Sequence, residues 1–599
     1  MAKRDYAMPT NRPLAVYAFD PSRGRRAGNH MTVHVPYEPL QQGPVGRQIA
    51  VIDYDASNDC YYLPVDLDHP AVLLAGGLPP SEADPRFHQQ MVYAVAMRTI
   101  DAFERALGRP LKWRRSSMRR DAPLRSSLRI FPHAFQQANA FYDHKLRALL
   151  FGYFRASAEE AGDIMPGQTV FTCLSHDIIV HETTHACLDG IRRYFADAST
   201  PDTAAFHEGF ADIVALLQHF SVRDAVLETI LRTGGQIHRP ELDPTIVPAS
   251  GARSIRAEAT ESNPLVELAK QFGEAMGHRR SLRSALGSPP DPARLATTSE
   301  PHDRGAILVA AVFDAYFTIY FNRTRDLMRI GRIGGAVASS GDLHPDLANR
   351  LCDEATRIAT HVLGMCIRAV DYCPPVDIQL GEFLRAVITA DHEVMPNDPH
   401  GYRDAFIRAF LSRGIVPEGV TSFSQDALLW NRPSQPLPPC RDLWFDLFGD
   451  GDRDGWGSHS QRQAKNAKIL HAFATENAKL LGLDARLAIA VESYHPIHRV
   501  TPNGRLAVSF VVEFLQQRKL PYDEDDDNGP TFPFRGGSTV IFDHRGKVQF
   551  VITKSVNSAA RAKRQRNFDD LAGYRSALAQ FLPDDWRQAF HFAALHRGG

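Results

Sequence analysis

The chain has 599 residues, with 68 lysines and arginines against 69 aspartates and glutamates, and it is 44% hydrophobic. That composition is globular, and the length exceeds one ordinary core and points to three or four domains. A net charge of −1 excludes bulk electrostatic binding of nucleic acid.

Seven cysteines, scattered and without a CxxC pair, exclude a disulfide framework. Cys173 and Cys187 read as small buried hydrophobes. The N-terminal stretch MAKRDYAMPTNRPL has no apolar h-region, and no run of eighteen apolar residues occurs. The expectation is a cytoplasmic protein without a signal peptide or membrane span.

In chain order, Leu14–Phe19, Met31–Val35, Gln48–Tyr54 and Tyr61–Val65 read as short strands punctuated by Pro and Gly. Glu82–Leu107 reads as a long helix with Phe87, Val92, Val95, Ile100, Phe103 and Leu107 on its apolar face. Residues 112–129 carry Lys112, Arg114, Arg115, Arg119, Arg120, Arg125 and Arg129, read as a solvated loop rather than a basic groove because the net charge is balanced. Ala204–Phe220 reads as a helix with Phe206, Phe210, Ile213, Val214 and Leu217 inward. Residues 300–416 are mainly helical, and Arg432–Pro439 (RPSQPLPP) reads as a linker.

Beyond it, 440–599 reads as a separate α+β piece. Gln463–Leu481 is an amphipathic helix, Leu487–Tyr494 and Leu506–Phe514 alternate as strands, and Thr539–Asp543 with Lys547–Thr553 forms a hairpin. Asp450-Gly451-Asp452-Arg453-Asp454-Gly455 resembles the start of an EF-hand loop. Gln461 at its twelfth position cannot give the bidentate carboxylate, so a polar turn is the simpler reading.

The chemistry concentrates in His181-Glu182-Thr183-Thr184-His185 and His207-Glu208-Gly209-Phe210-Ala211-Asp212. Two His four apart on a helix share a face and can bind one Zn²⁺ together. The Glu between them can act as base toward a metal-bound water. Glu208 is a charge inside an apolar helix and needs a partner, which a metal supplies. Three protein ligands leave a position for water, the mark of a catalytic site. Asp212 is placed to accept a hydrogen bond from a ligand imidazole. A surface helix with chance His and Glu residues is the competing reading. The apolar flanks Ile178–Val180 and Ala186–Leu188 count against it.

Further segments carry a resemblance. Gln137-Ala138-Asn139-Ala140-Phe141-Tyr142 with Phe151-Gly152, Asp177, Gln271-Phe272-Gly273-Glu274, Ser281-Leu282-Arg283-Ser284, Glu300-Pro301-His302-Asp303-Arg304-Gly305, Asp391 and Tyr402–Ile415 occur in that order around the HExxH segment. Over roughly residues 85–416 the chain resembles the thermolysin family of gluzincin metallopeptidases. The resemblance implies an α+β, two-lobed zincin, with a β-containing N-terminal lobe and an α-helical C-terminal lobe. The expected divisions are 1–82, a β-rich region; 83–220, the lobe with the HExxH helix; 221–420, the helical lobe; and 440–599, an extra α+β domain that is a candidate for binding a protein partner.

The implied activity is zinc-dependent endopeptidase cleavage of a polypeptide substrate. His181, His185 and Glu208 would hold Zn²⁺, Glu182 would be the base, and His302 would donate to the oxyanion with Tyr194 as an assisting candidate. Asn139 and Ala140 would hold the substrate backbone, and Arg283 a substrate carbonyl. Ile178 and Leu282 would line the pocket for the residue after the cut.

Departures from the family pattern are visible. His207 stands where Asn is usual, an extra segment occupies roughly 221–270, and Glu300 or Asp303 must replace the usual acidic partner of His302. Asp177 and Glu274 occupy two Ca²⁺-ligand positions, too few for six to eight oxygens. The alternatives are an inactive zincin scaffold that acts through 440–599, and a gluzincin aminopeptidase. The acidic GxMEN-like motif of the latter is missing from the chain.

Overall fold

The computed structural model describes residues 9–19, 21, 29–114, 126–156, 167–232, 289–337, 343–433, 435–443, 459–500, 503–504, 506–523 and 531–571. The chain is a mixed α+β structure. Strands β1 (Asn11–Tyr17) and β2 (His30–Pro36) form an antiparallel pair, followed by β3 (Ile49–Val51) and a small hairpin of β4 (Tyr54–Asp55) and β5 (Cys60–Tyr61). The expected strands around 48–65 are shortened here. Asp53 and Asp55 are buried polar residues within this stretch; Asp55 Oδ1 accepts from the nearby Ser57 N–H, while Asp53 Oδ1 lies 2.7 Å from the distant His133 Nδ1.

Helix α1 (Pro85–Leu107) starts at Asp84, whose side chain accepts from the Arg86 N–H, and stops at left-handed Gly108. Then come β6 (Leu128–Phe135), β7 (Ala140–Asp143), β8 (Ala148–Arg155) and β9 (Thr169–Phe171). The resulting mixed sheet has the order β3-β6-β8-β7, with β9 also on β8. β7 is its terminal strand, antiparallel to β8.

Helices α2 (His176–Ile191) and α3 (Pro201–His219) cross the centre, followed by α4 (Arg223–Arg232), α5 (Pro301–Ile333), α6 (Pro345–Ala369), α7 (Leu380–Val394) and α8 (Tyr402–Ser412). α2 is buried on nearly every side, its His, Asp, Glu and Thr side chains included. Phe206 and Phe210 of α3 pack edge-on against Phe383 of α7, and each fully buried ring contributes about 1.5–3 kcal/mol. α5 is long and apolar enough by composition to span a membrane, but 83% of its apolar window is buried inside the fold. It crosses α3 where Gly209 meets Gly305, and a Cβ on Gly305 would stand 3.0 Å from the Gly209 nitrogen.

The C-terminal part is α9 (His459–Glu476), a meander of β10 (Ala490–Val500), β11 (Leu506–Pro521), β12 (Thr531–Asp543) and β13 (Val548–Lys554), and α10 (Ala559–Leu571). The period of two in β11 splits its faces. Phe510, Val512 and Phe514 share a core with Leu470 and Phe473 of α9, while Val511, with Ile541 and Ile552, belongs to the main core. The sequence reading makes 440–599 self-contained. The structure instead docks its sheet through buried polar links. Arg192 pairs with Glu513, Thr539 Oγ1 donates to the Cys373 carbonyl at 2.8 Å, Arg561 Nε meets Asp377 at 2.7 Å, and Lys554 meets Glu382 at 2.8 Å. Each of these polar side chains on its own reads as solvated, so the sequence does not reveal the contact.

Candidate metal centre

α2 and α3 pack side by side and bring the two motif segments together. His181 Nε2 and His185 Nε2 stand 2.9 Å apart, and Glu208 Oε2 lies 3.4 Å from the first and 3.7 Å from the second. All three side chains are buried. Two imidazole nitrogens and one carboxylate oxygen at such separations surround a point about 2 Å from each, the bond length that N and O ligands give a Zn²⁺. Glu182, His181 and His185 form one of the groups of side chains that can hold a metal ion.

The outer nitrogens are oriented as well. His181 Nδ1–H donates to Asp212 Oδ1 at 2.9 Å, as the sequence suggests. His185 Nδ1 lies 2.7 Å from His207 Nδ1. Burial pushes the His207 imidazole down to about 4, so the ring is neutral and can accept from His185. The sequence shows His207 only as a departure from a pattern, and its role comes from the α2–α3 packing. Burial lowers the His181 imidazole's proton affinity, but Asp212 and Glu208 more than reverse this and raise it well above its ordinary value. The same excess of negative charge favours a bound cation.

His302 enters from the second position of α5. Its Nε2 lies 3.5 Å from Glu208 Oε2, and its Nδ1 lies 2.9 Å from Glu300 Oε1. Glu300 is the N-cap of α5 and also accepts from the Asp303 N–H. Of the two acidic partners open in the sequence, Glu300 is the one in contact. Burial raises its carboxyl, but hydrogen bonds from His302 and Asp303 outweigh this and hold it below its ordinary value.

Asn139 and Ala140 lie at the start of β7, which packs on α2; Tyr142 Oη donates to Asp189 Oδ2 at 2.8 Å. The Gly152 N–H donates to the Asn139 carbonyl at 2.9 Å, and a Cβ on Gly152 would stand 2.7 Å from that oxygen. The glycine therefore permits the close approach at this end of the strand pair.

Tyr194 goes elsewhere. Its ring faces the Arg193 and Arg535 guanidiniums, 5.5 and 4.7 Å from its centroid, at the C-terminal sheet. The chain turns out of α2 at Arg192, and a short 3₁₀ turn over Arg193–Ala196 carries Tyr194 away from the cluster. Asp177 lies 3.2 Å from His219 Nδ1 and 3.7 Å from His176 Nδ1. Ile178 is half-buried against the main core. Arg283, Leu282, Glu274 and Asp450–Gly455 lie outside the described residues. No protein-family description matches the chain, and no curated protein is significantly similar to it.

Proposed function

We propose that the chain is a zinc-dependent endopeptidase of thermolysin-like architecture. The observation that carries this reading is the buried convergence of His181, His185 and Glu208, with Glu182 beside them and His302 opposite. The donor set suits Zn²⁺, with two imidazoles, one carboxylate and a carboxylate behind one imidazole. When bound, the ion supplies Lewis acidity toward a carbonyl and a water.

The residues themselves do the rest. His181, His185 and Glu208 are the ligands, Asp212 and His207 fix the two rings, and Glu182 takes a proton from water and returns it to the leaving amine. Glu300 accepts from His302 Nδ1–H and holds the ring, whose imidazolium form can donate from Nε2–H to oxyanion charge. β7 ends the sheet and can take an extended peptide as an added strand, with Asn139 and Ala140 at the entry. The test is metal content together with casein cleavage, with and without a chelator. Cleavage that follows bound zinc supports the reading, whereas zinc-loaded, folded protein that leaves casein intact rejects it in favour of a scaffold.

A further inference from the structure

A second histidine pair lies outside the centre just described. His88 of α1 and His133 of β6 are each 1% exposed, and Cys173, just before α2, is fully buried. His88 Nδ1 and His133 Nε2 stand 2.8 Å apart, and the Cys173 Sγ and one ring nitrogen from each His lie within 4.8 Å of one another. None of the three elements gives a ligand to the first centre.

The outer nitrogens have acceptors. His133 Nδ1 lies 2.7 Å from Asp53 Oδ1, and His88 Nε2 lies 3.1 Å from the Glu82 carbonyl. Asp53 is fixed in turn: Gln89 Nε2 donates to its Oδ2 at 2.7 Å, and Gln89 Oε1 accepts from the Val65 N–H, so the amide cannot flip without loss. The inner nitrogens, His88 Nδ1 and His133 Nε2, face each other at hydrogen-bond distance in a cluster with the Cys173 thiol. A carboxylate or carbonyl behind each ring is how metal-binding imidazoles are oriented.

We propose that His88, His133 and Cys173 bind one thiophilic d¹⁰ cation, Zn²⁺ or Cu⁺, at a structural site separate from the catalytic one. Two imidazoles and a thiolate suit both ions. Two ligand nitrogens at tetrahedral angles on zinc stand about 3.3 Å apart, so the pair opens by only a few tenths of an ångström. On binding, the thiol proton leaves to solvent and sulfur forms the bond to the metal. The ion ties α1 and β6 to the segment that leads into the HExxH helix.

Elemental analysis of the full-length protein as purified distinguishes the two ions, with either two zinc or one zinc and one copper per chain expected. Removal of metal and reloading with Co²⁺ then isolates this site. A near-ultraviolet thiolate-to-cobalt charge-transfer band is expected, because the first centre has no sulfur ligand. Cys173→Ser should remove the band and one metal equivalent while the other equivalent stays. One metal per chain and no such band in the wild-type protein would overturn the proposal and assign a shared proton to the Asp53–His133–His88 chain. The wild-type spectrum decides even if the variant misfolds.

Discussion

Arg192 and Glu513 form a fully buried ion pair across 321 positions of sequence. Arg192 caps the HExxH helix, and Glu513 sits in β11 of the C-terminal sheet. The guanidinium also donates from Nε to the Val370 carbonyl at 2.9 Å and from Nη1 to Thr539 Oγ1 at 3.2 Å. Removing one partner leaves the other charge buried and costs about 3–5 kcal/mol. Glu513→Ala should therefore lower the unfolding midpoint clearly. A protein ending near residue 430 should be insoluble or poorly folded, since it would also strip Val511 and Ile541 from the main core. Denaturant titration of the substitution, with solubility of the truncation, checks this. A stable, metal-binding truncated chain would show that the sheet is only an accessory.

Glu182→Gln removes a carboxylate but no ligand. Metal content should stay at the wild-type level while turnover of a peptide falls about 10²-fold or more. Elemental analysis and a fluorogenic peptide assay on one preparation separate the two effects. Wild-type turnover in the variant would remove Glu182 from the mechanism.

His302→Ala should lower kcat by about 10²-fold with little change in KM, because its contact is with charge that develops in the transition state. Glu300→Gln keeps the ring but weakens its orientation and charge, and should cost about tenfold. Equal losses in KM and none in kcat would make His302 a substrate-binding residue only.

His495 in β10 contributes to the pH dependence of stability. Its Nε2–H donates to Asp371 Oδ1 at 3.2 Å, and Arg109 Nη2 donates to the same oxygen at 2.8 Å. Burial, assisted by the Arg109 charge, pushes His495 down to about 4. The unfolded value is near 6.5. Between these two values the unfolded chain holds a proton that the folded chain lacks, so stability is complete above about pH 6.5 and is lost as the pH falls toward 4. The side chain is 13% exposed, which reduces the effect to roughly 1–2 kcal/mol over the window. Melting curves between pH 7 and 4.5 should fall less steeply for His495→Gln than for wild type. Parallel curves would mean that His495 does not carry the acid sensitivity.

Local pattern made much of the centre legible. Apolar periodicity marked the helix that holds Glu208, the HExxH spacing marked the shared face of His181 and His185, and the position of Asp212 one turn on anticipated its contact. The alternation in 506–514 marked β11. What stayed hidden depends on contacts between distant segments. Arg192 looks solvated until Glu513 is placed on it. Tyr194 looks close to the ligands in sequence, yet a 3₁₀ turn takes it to Arg535. His88, His133 and Cys173 come from three elements with no common spacing. Glu300 and Asp303 were equal candidates until the N-cap geometry of α5 selected Glu300.

Gly209 and Gly305 give the last prediction. A Cβ at Gly305 would stand 2.9 Å from the Ala205 carbonyl oxygen and 3.0 Å from the Gly209 nitrogen, both backbone atoms that cannot rotate aside. This contact lets α5 lie on α3 with His302, three residues before Gly305, 3.5 Å from the Glu208 oxygen. Gly305→Ala must push the helices apart, at a cost of about 1–3 kcal/mol, and withdraw His302 from the centre. Turnover should fall toward the level of His302→Ala, while zinc content and the Glu182 environment persist. Gly364→Ala in α6 is the control. Its added methyl would meet only the end of the Arg368 side chain at 3.3 Å, so activity should hold and stability should rise by up to about 1 kcal/mol from helix propensity. A folded Gly305→Ala enzyme with undiminished kcat would show that the close crossing serves packing alone, and that His302 reaches its partner by another route.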